Sequence, residues 1–351
     1  MAKRFSYIAV TAMGIGCASA ALAQSSVTLY GMVDAGIEFA NHQPNGGNSV
    51  VRLQSGNPAG SRWGLRGVED LGSGYQAVFV LESGFDIDTG ASAQGRLFGR
   101  QAYVGAGTKD SKLLFGRQYT VLYAYGLIFD PLLLAPRYSI VAVDPGGIGG
   151  RTDNTVKFTG NYGPIYTEAS YSFGADGTQG VNGEVPGNSK VGREYGGMLV
   201  YSGGSYDVGV AYEEIRGSTV ATADDRLSRA AVAGTLKIGD AKAFLGYRYR
   251  RQTTGPATAI GDLYWAGVKY PFGQSFSISG GVYYTNNHGS GADPWMYVVS
   301  STYSLSKRTS IYSSVAYAKN KSGSALGVNG YNTVLPGANQ LGAVISLRHI
   351  F

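Results

Sequence analysis

The sequence predicts an all-β chain: sixteen antiparallel strands closed into a transmembrane barrel. Three observations carry this prediction. Apolar and polar residues alternate with period 2 from Ser25 onward, which places one set of side chains on each face of a strand. The alternating runs are ~10 residues long, the length that crosses a tilted barrel wall. The polar face also carries mid-strand charges, among them Arg62, Arg66, Glu82, Arg248 and Arg250, which a dry core does not tolerate unpaired.

Composition excludes the main competitors. Of 351 residues, 54 are Gly, 26 Tyr and 13 Phe, only 15% are charged and one is Cys. Disordered or nucleic-acid-binding tails carry fewer aromatics and more charge, and disulfide scaffolds need many more cysteines. After the first two dozen residues no apolar run approaches the ~18 to 20 residues of a spanning helix.

Residues 1–23 read as a secretory signal peptide: Lys3 and Arg4, an apolar stretch, then Ala21-Leu22-Ala23 before Gln24. The barrel domain is therefore expected over 24–351. Loss of the leader removes two of the charges behind the formal +6 and also Cys17, so thiol chemistry and disulfides are not expected.

The strands follow in order. Segment 26–40 sets Val27, Leu29, Val33, Ile37 and Phe39 against Thr28, Tyr30, Asp34 and Glu38, and a long connector runs from His42 to Gly60. Strands 61–69 and 75–86 flank Leu71-Gly72-Ser73-Gly74, and strands 96–106 and 112–119 flank Thr108-Lys109-Asp110-Ser111. The stretch from Thr120 to Gly150 does not alternate and is rich in Leu, Ile and Tyr. Strands 152–162 and 165–174 precede a connector ending at Arg193, and strands 194–202 and 206–215 come next. Gly239-Asp240-Ala241 separates 227–238 from 242–251, while 262–272 ends on Tyr270 and Phe272, suited to an aromatic girdle. Strand 275–286 precedes 295–305, where Trp295, Tyr297, Val299, Tyr303 and Leu305 oppose Ser300, Thr302, Ser304 and Ser306. Ser306-Lys307-Arg308 leads into 309–319. A last connector, Ala318 to Gly337, leads to 339–351, with Leu341, Ala343, Ile345, Leu347 and Phe351 on one face.

A soluble sandwich alternates too, but it hides its apolar face, whereas a membrane barrel turns that face to lipid and the polar one to water. In lipid every backbone N–H and C=O needs an internal partner, so the first strand must pair with the last. An even count puts both termini at the rim with short turns.

The run Ser26-Val27-Thr28-Leu29-Tyr30-Gly31 resembles the opening of Gram-negative general porins of the β-proteobacterial trimeric type. The likeness continues through Ser61-Arg62-Trp63-Gly64-Leu65-Arg66-Gly67, Glu69-Asp70-Leu71-Gly72, Phe98-Gly99-Arg100-Gln101-Ala102-Tyr103-Val104-Gly105, Phe115-Gly116-Arg117-Gln118-Tyr119 and Leu347-Arg348-His349-Ile350-Phe351. The resemblance implies a homotrimer in the cell outer membrane, in contact with lipid and lipopolysaccharide. Its third external loop, here about 120–150, would fold into the lumen. It implies no cofactor, no bound metal and no nucleic-acid partner. Phe351 resembles the terminal aromatic that outer-membrane assembly machinery reads.

By the same resemblance Arg62, Arg100 and Arg151 form the basic side of a constriction. Strand parity puts Arg62 and Arg66 on one face, and Arg117 is either a fourth member or a protomer-contact residue. Arginine suits the task because it stays protonated and offers several fixed donors. Carboxylates are few: Asp130 and Asp144 in the 120–150 stretch, which also holds Arg137, with Glu82 and Asp34 on the wall. The expected function is passive diffusion of small hydrophilic solutes and ions, with preference for anions such as phosphate, sulfate or carboxylates. A substrate-specific channel with a binding site in the lumen is the alternative. Catalysis is not expected. The histidines His42, His288 and His349 lie in loops or at the C-terminus, and Gly146-Gly147 and Gly149-Gly150 lack the Lys-Ser/Thr of a phosphate-binding loop.

Overall fold

Period-2 alternation becomes strand almost throughout. The structure, a computed structural model, describes residues 26–144, 148, 150–177 and 183–351; the leader expected at 1–23 lies outside the described residues. In chain order the strands are β1 (Ser26–Ala40), β2 (Val50–Ser55), β3 (Arg62–Gly72), β4 (Tyr75–Gly84), β5 (Gln101–Thr108), β6 (Ser111–Tyr119), β7 (Arg151–Tyr162), β8 (Ile165–Ser172), β9 (Glu194–Ser202) and β10 (Tyr206–Arg216). They continue as β11 (Arg226–Ile238), β12 (Ala241–Thr254), β13 (Ala257–Phe272), β14 (Phe276–Asn287), β15 (Trp295–Ser304), β16 (Thr309–Lys319), the short pair β17 (Leu326–Gly327) and β18 (Gly330–Tyr331), and β19 (Gln340–Ile350). Two helices, α1 (Val121–Phe129) and α2 (Ile140–Val143), lie between β6 and β7.

Both edges of β1 are paired. On one side β19 runs antiparallel from Met32↔Ile350 to Ala40↔Gly342. On the other, β3 pairs with residues 26–32 and β2 with residues 35–40. β2 and β3 thus share one place in the wall, and the 17-stranded sheet closes as a barrel of sixteen wall positions. Its exposed face is apolar, with Ile37, Leu245, Val299 and Ile345 all more than half exposed, while Asp34, Glu38, Arg248 and Ser300 are buried on the other face. The side chains are arranged as the alternation predicts for a barrel in lipid.

Many strand ends shift by one to three residues, the pair β17–β18 forms inside the connector expected over 318–337, and three larger differences stand out. Residues 50–55, assigned to the first long connector, form β2; six residues between Gly and Asn are too few to stand out by period. The fourth wall strand starts at Gln101 rather than at residue 96, because 96–100 form turns and bends before the ladder begins. Between β12 and β13 the expected connector is instead ladder down to Thr254↔Ala257, closed by Gly255-Pro256.

Residues 120–138 are held to the wall at several points. Thr120 caps α1, its side chain accepting from the Tyr123 N–H at 3.2 Å. The Tyr125 hydroxyl donates to the Gly209 carbonyl at 3.0 Å, and the Trp265 indole donates to the Phe129 carbonyl at 2.9 Å. Tyr138 donates to Glu38 at 2.7 Å. A Cβ at Gly267 would sit 2.4 Å from Pro131, so only glycine lets β13 meet the segment. Apolar residues of the segment and of the covered face of β9 to β16 form one buried cluster, including Leu122, Phe129, Ile140, Leu263, Trp265 and Met296.

The chain end completes the seam. Phe351 and Gly31 exchange backbone bonds of 3.0 and 3.1 Å, and the Phe351 ring covers Gly31 on the outer face, where a Cβ would come within 2.4 Å of it. Replacing Gly31 by Leu should therefore cost about 1–3 kcal/mol through overpacking. Thermal unfolding in detergent checks this, and combining G31L with F351A should recover part of the loss; an unchanged melting temperature in G31L would refute the packing.

Candidate functional site

Six residues, 56–61, stand opposite only two on β1, where β2 gives way to β3. The resulting wide bulge is tied to one carboxylate: Asp34 accepts from the Asn57 and Ala59 backbone N–H groups, each at 3.3 Å, and from the Asn57 side chain at 3.4 Å. The Ser61 hydroxyl closes the knot, donating to the Asp34 carbonyl at 3.2 Å. Asp34 is thus consumed in shaping the wall.

The bulge leads straight into Arg62, the first residue of β3. Arg62 lies 3.5 Å from Glu82 of β4, and Arg100, one residue before β5, lies 2.8 Å from it. Glu82 also accepts from Tyr30 and Tyr119, each at 3.1 Å, and Arg100 donates to Tyr119 at 2.8 Å. One carboxylate therefore orients two guanidiniums, and the hydroxyls fill its remaining lone pairs. Arg151, at the start of β7, stacks over Tyr119 and Tyr123, its guanidinium 5.1 and 5.7 Å from their ring centres. Those two rings are themselves stacked, 4.1 Å apart and 8° from parallel. The aromatic pair supplies a cation–π seat in place of a counter-charge.

Arg62, Arg100 and Arg151 line one cavity of about 390 Å³ with the bulge, Asp86, Leu127, Leu133 and Arg137. A second cavity, about 440 Å³, shares Arg62, Arg100, Tyr123 and Leu127 with the first and adds Arg66 and Glu82. Arg66 lies over the Tyr30 ring at 5.2 Å. Arg62 and Arg100 thus contribute to both cavities.

A model of the Gram-negative porin family matches residues 9–323. The chain belongs to that family. An outer membrane porin protein of Bordetella pertussis is 32% identical over 87% of this porin and 92% of its own length. The anion-selective porin from Comamonas acidovorans superposes with a TM-score of 0.81 at 23% identity, covering 93% of this chain and 100% of that one. OmpT, an outer membrane protein of Vibrio cholerae in its trimer form, gives 0.67 at 15% identity over 93% and 99%. This porin is a multi-pass β-barrel of the Gram-negative outer membrane.

Three of the predicted site residues sit elsewhere in the porin. Asp130 and Asp144, expected opposite the arginines, line neither cavity. Asp130 is buried, accepting from the Tyr283 hydroxyl at 2.6 Å and from the Leu134 N–H at 2.8 Å. Asp144 pairs with Arg248 of β12 at 2.8 Å. Both loop carboxylates thus anchor the segment to the wall, where buried partners hold them. Arg117, at 2.6 Å, and Arg96, also at 2.6 Å, grip Asp153, away from the cavities. Asp86, Arg137 and the Tyr119–Tyr123 stack join the predicted arginines around these cavities without having been expected there. Tyrosines four residues apart around a helix cap were the available signal for the stack.

Burial raises the Asp130 carboxyl from its ordinary 3.8 to about 6, against the Tyr283 and Leu134 hydrogen bonds that pull it down. The folded state therefore holds a proton that the unfolded state releases, so stability should fall as pH rises from about 4 to about 6 and then level off. Asp130→Asn keeps an acceptor for Tyr283 without the charge. Thermal melts in detergent across this range should show the slope reduced in the variant; an unchanged slope would assign it to other groups.

Proposed function

We propose that this porin is a passive, water-filled diffusion pore and not an enzyme. In this reading the 120–150 segment is folded into the barrel and narrows it, and the narrow point prefers anions. The hydrogen bonds from the segment to covered positions on β1, β10, β13 and β14 support the inward fold. The observation that carries the selectivity is the charge balance of the first cavity. Four guanidiniums, Arg62, Arg100, Arg137 and Arg151, line it with the single carboxylate of Asp86, while nearby Glu82 is engaged by two of the four. A small aperture with fixed positive charge draws anions in and repels cations. Phosphate, sulfate and small carboxylates are the solute class. The second reading, a channel with a solute-binding site, is favoured by the exposed Leu127 and Leu133 at the same opening.

Reversal potentials in a salt gradient across a planar bilayer test the selectivity. Chloride should permeate ahead of potassium, and Arg151→Gln should lower the anion-to-cation permeability ratio about 2- to 5-fold, as expected for removing one charge a few ångströms from the path in a wet aperture. Cation preference in the unaltered protein would overturn the reading.

The protein works as a homotrimer among lipid and lipopolysaccharide, and Phe351 is the end that the assembly machinery reads. Unboiled samples should migrate on a denaturing gel as a trimer that collapses on heating. Deletion of Phe351 should delay that band, and a monomer without boiling or an undelayed band would count against the respective claim.

A further inference from the structure

The opening has two unlike walls. Arg62 and Arg151 begin strands, Arg100 directly precedes one and Arg137 lies on the segment, whereas Leu127 and Leu133 supply apolar surface to the same cavity. Arg62 and Arg100 spend part of their charge on Glu82. Arg137 and Arg151 make no salt bridge among the described residues, and the Nε of each makes no hydrogen bond. Arg137 donates to the Ser55 carbonyl at 3.5 Å and Arg151 rests on the two tyrosine rings, so neither guanidinium is matched by a bonded carboxylate. The leucines are the more unusual feature. Leu133 is 53% exposed and Leu127 39% exposed, at a place where water must pass and apolar surface hinders it. Leu133 also holds φ at 55°, a left-handed conformation that leucine adopts only at a cost. Leu122, Leu132 and Leu134 of the same segment are buried, so the outward Leu127 and Leu133 are not a failure of the segment to find a core. A cavity of about 390 Å³ has room for a solute of several carbon atoms.

We propose that this opening is a binding site for amphipathic monocarboxylates: the carboxylate lies against Arg137 and Arg151, and the short aliphatic or aromatic tail lies on Leu127 and Leu133. The proposal rests on the anion-preferring reading above and adds a preference that charge alone does not give. Inorganic anions use the basic wall only; a carboxylate with a tail uses both, and each methylene taken from water adds to its residence.

Planar-bilayer recordings with chloride as carrier test this, using acetate, butyrate and hexanoate as probes. Half-blocking concentration should fall with chain length, with hexanoate effective at about one tenth the concentration of acetate, since its four extra methylenes are only partly buried. In Leu133→Asn, whose new residue accepts the left-handed backbone, and in Leu127→Ser, the ratio between acetate and hexanoate should move towards one. Equal half-blocking concentrations in the unaltered protein would overturn the proposal, as would a ratio unchanged in both variants. If Leu133→Asn does not insert, the chain-length series and Leu127→Ser decide. Reversal potentials in the same membranes separate the two readings: anion preference without chain-length dependence removes only this inference, and cation preference removes the reading beneath it.

Discussion

A strand inside lipid has no water to pair with, so each backbone N–H and C=O must find a partner in the sheet. Here that requirement is met where β1 meets β19, and it is completed by the bonds between Gly31 and Phe351. Everything else follows from the closed ring. A ring has an outside and an inside, and period-2 alternation assigns each residue to one of them. The outside is a continuous apolar surface; the inside must accommodate whatever polar groups the sequence carries.

The inside is costly to populate with charge, and this porin offsets the cost by pairing. Arg248 with Asp144, Lys157 with Glu168 and Arg62 and Arg100 with Glu82 are all covered ion pairs. Desolvation takes back much of what such pairs gain, and their larger effect is on geometry. Breaking one strands its partner, so each pair fixes where a strand or the 120–150 segment can lie. Aromatic hydroxyls serve the same end: Tyr283 on Asp130 and Tyr138 on Glu38 hold the segment from two sides.

Local pattern made the wall legible from sequence. The faces of 26–40 and 295–305, the short turns and the closure by 339–351 all follow from a period and a backbone rule. What was not legible depends on contacts between distant residues. The bulge at 56–61 exists because Asp34 gathers the amides of Asn57 and Ala59, and no local pattern marks a carboxylate as spoken for from 23 residues away. Asp130 and Asp144 show the same limit: as acids in an irregular stretch they suit an opening, and only the positions of Tyr283 and Arg248 reveal them as anchors. Likeness to a family pattern points to Arg62, Arg100 and Arg151, with strand parity in support for Arg62 alone, and the three share one cavity.

The charged and the apolar lining of the first cavity come from different parts of the chain. Arg62 and Arg151 begin wall strands and Arg100 directly precedes one, each braced by Glu82 or by the Tyr119–Tyr123 stack, whereas Leu127 and Leu133 ride on the intervening segment. Arg62 and Arg100 answer to a carboxylate that the wall itself supplies, whereas Arg151 leans on Tyr123 of α1, so the seat of one strand-borne charge is shared with the segment that carries the leucines.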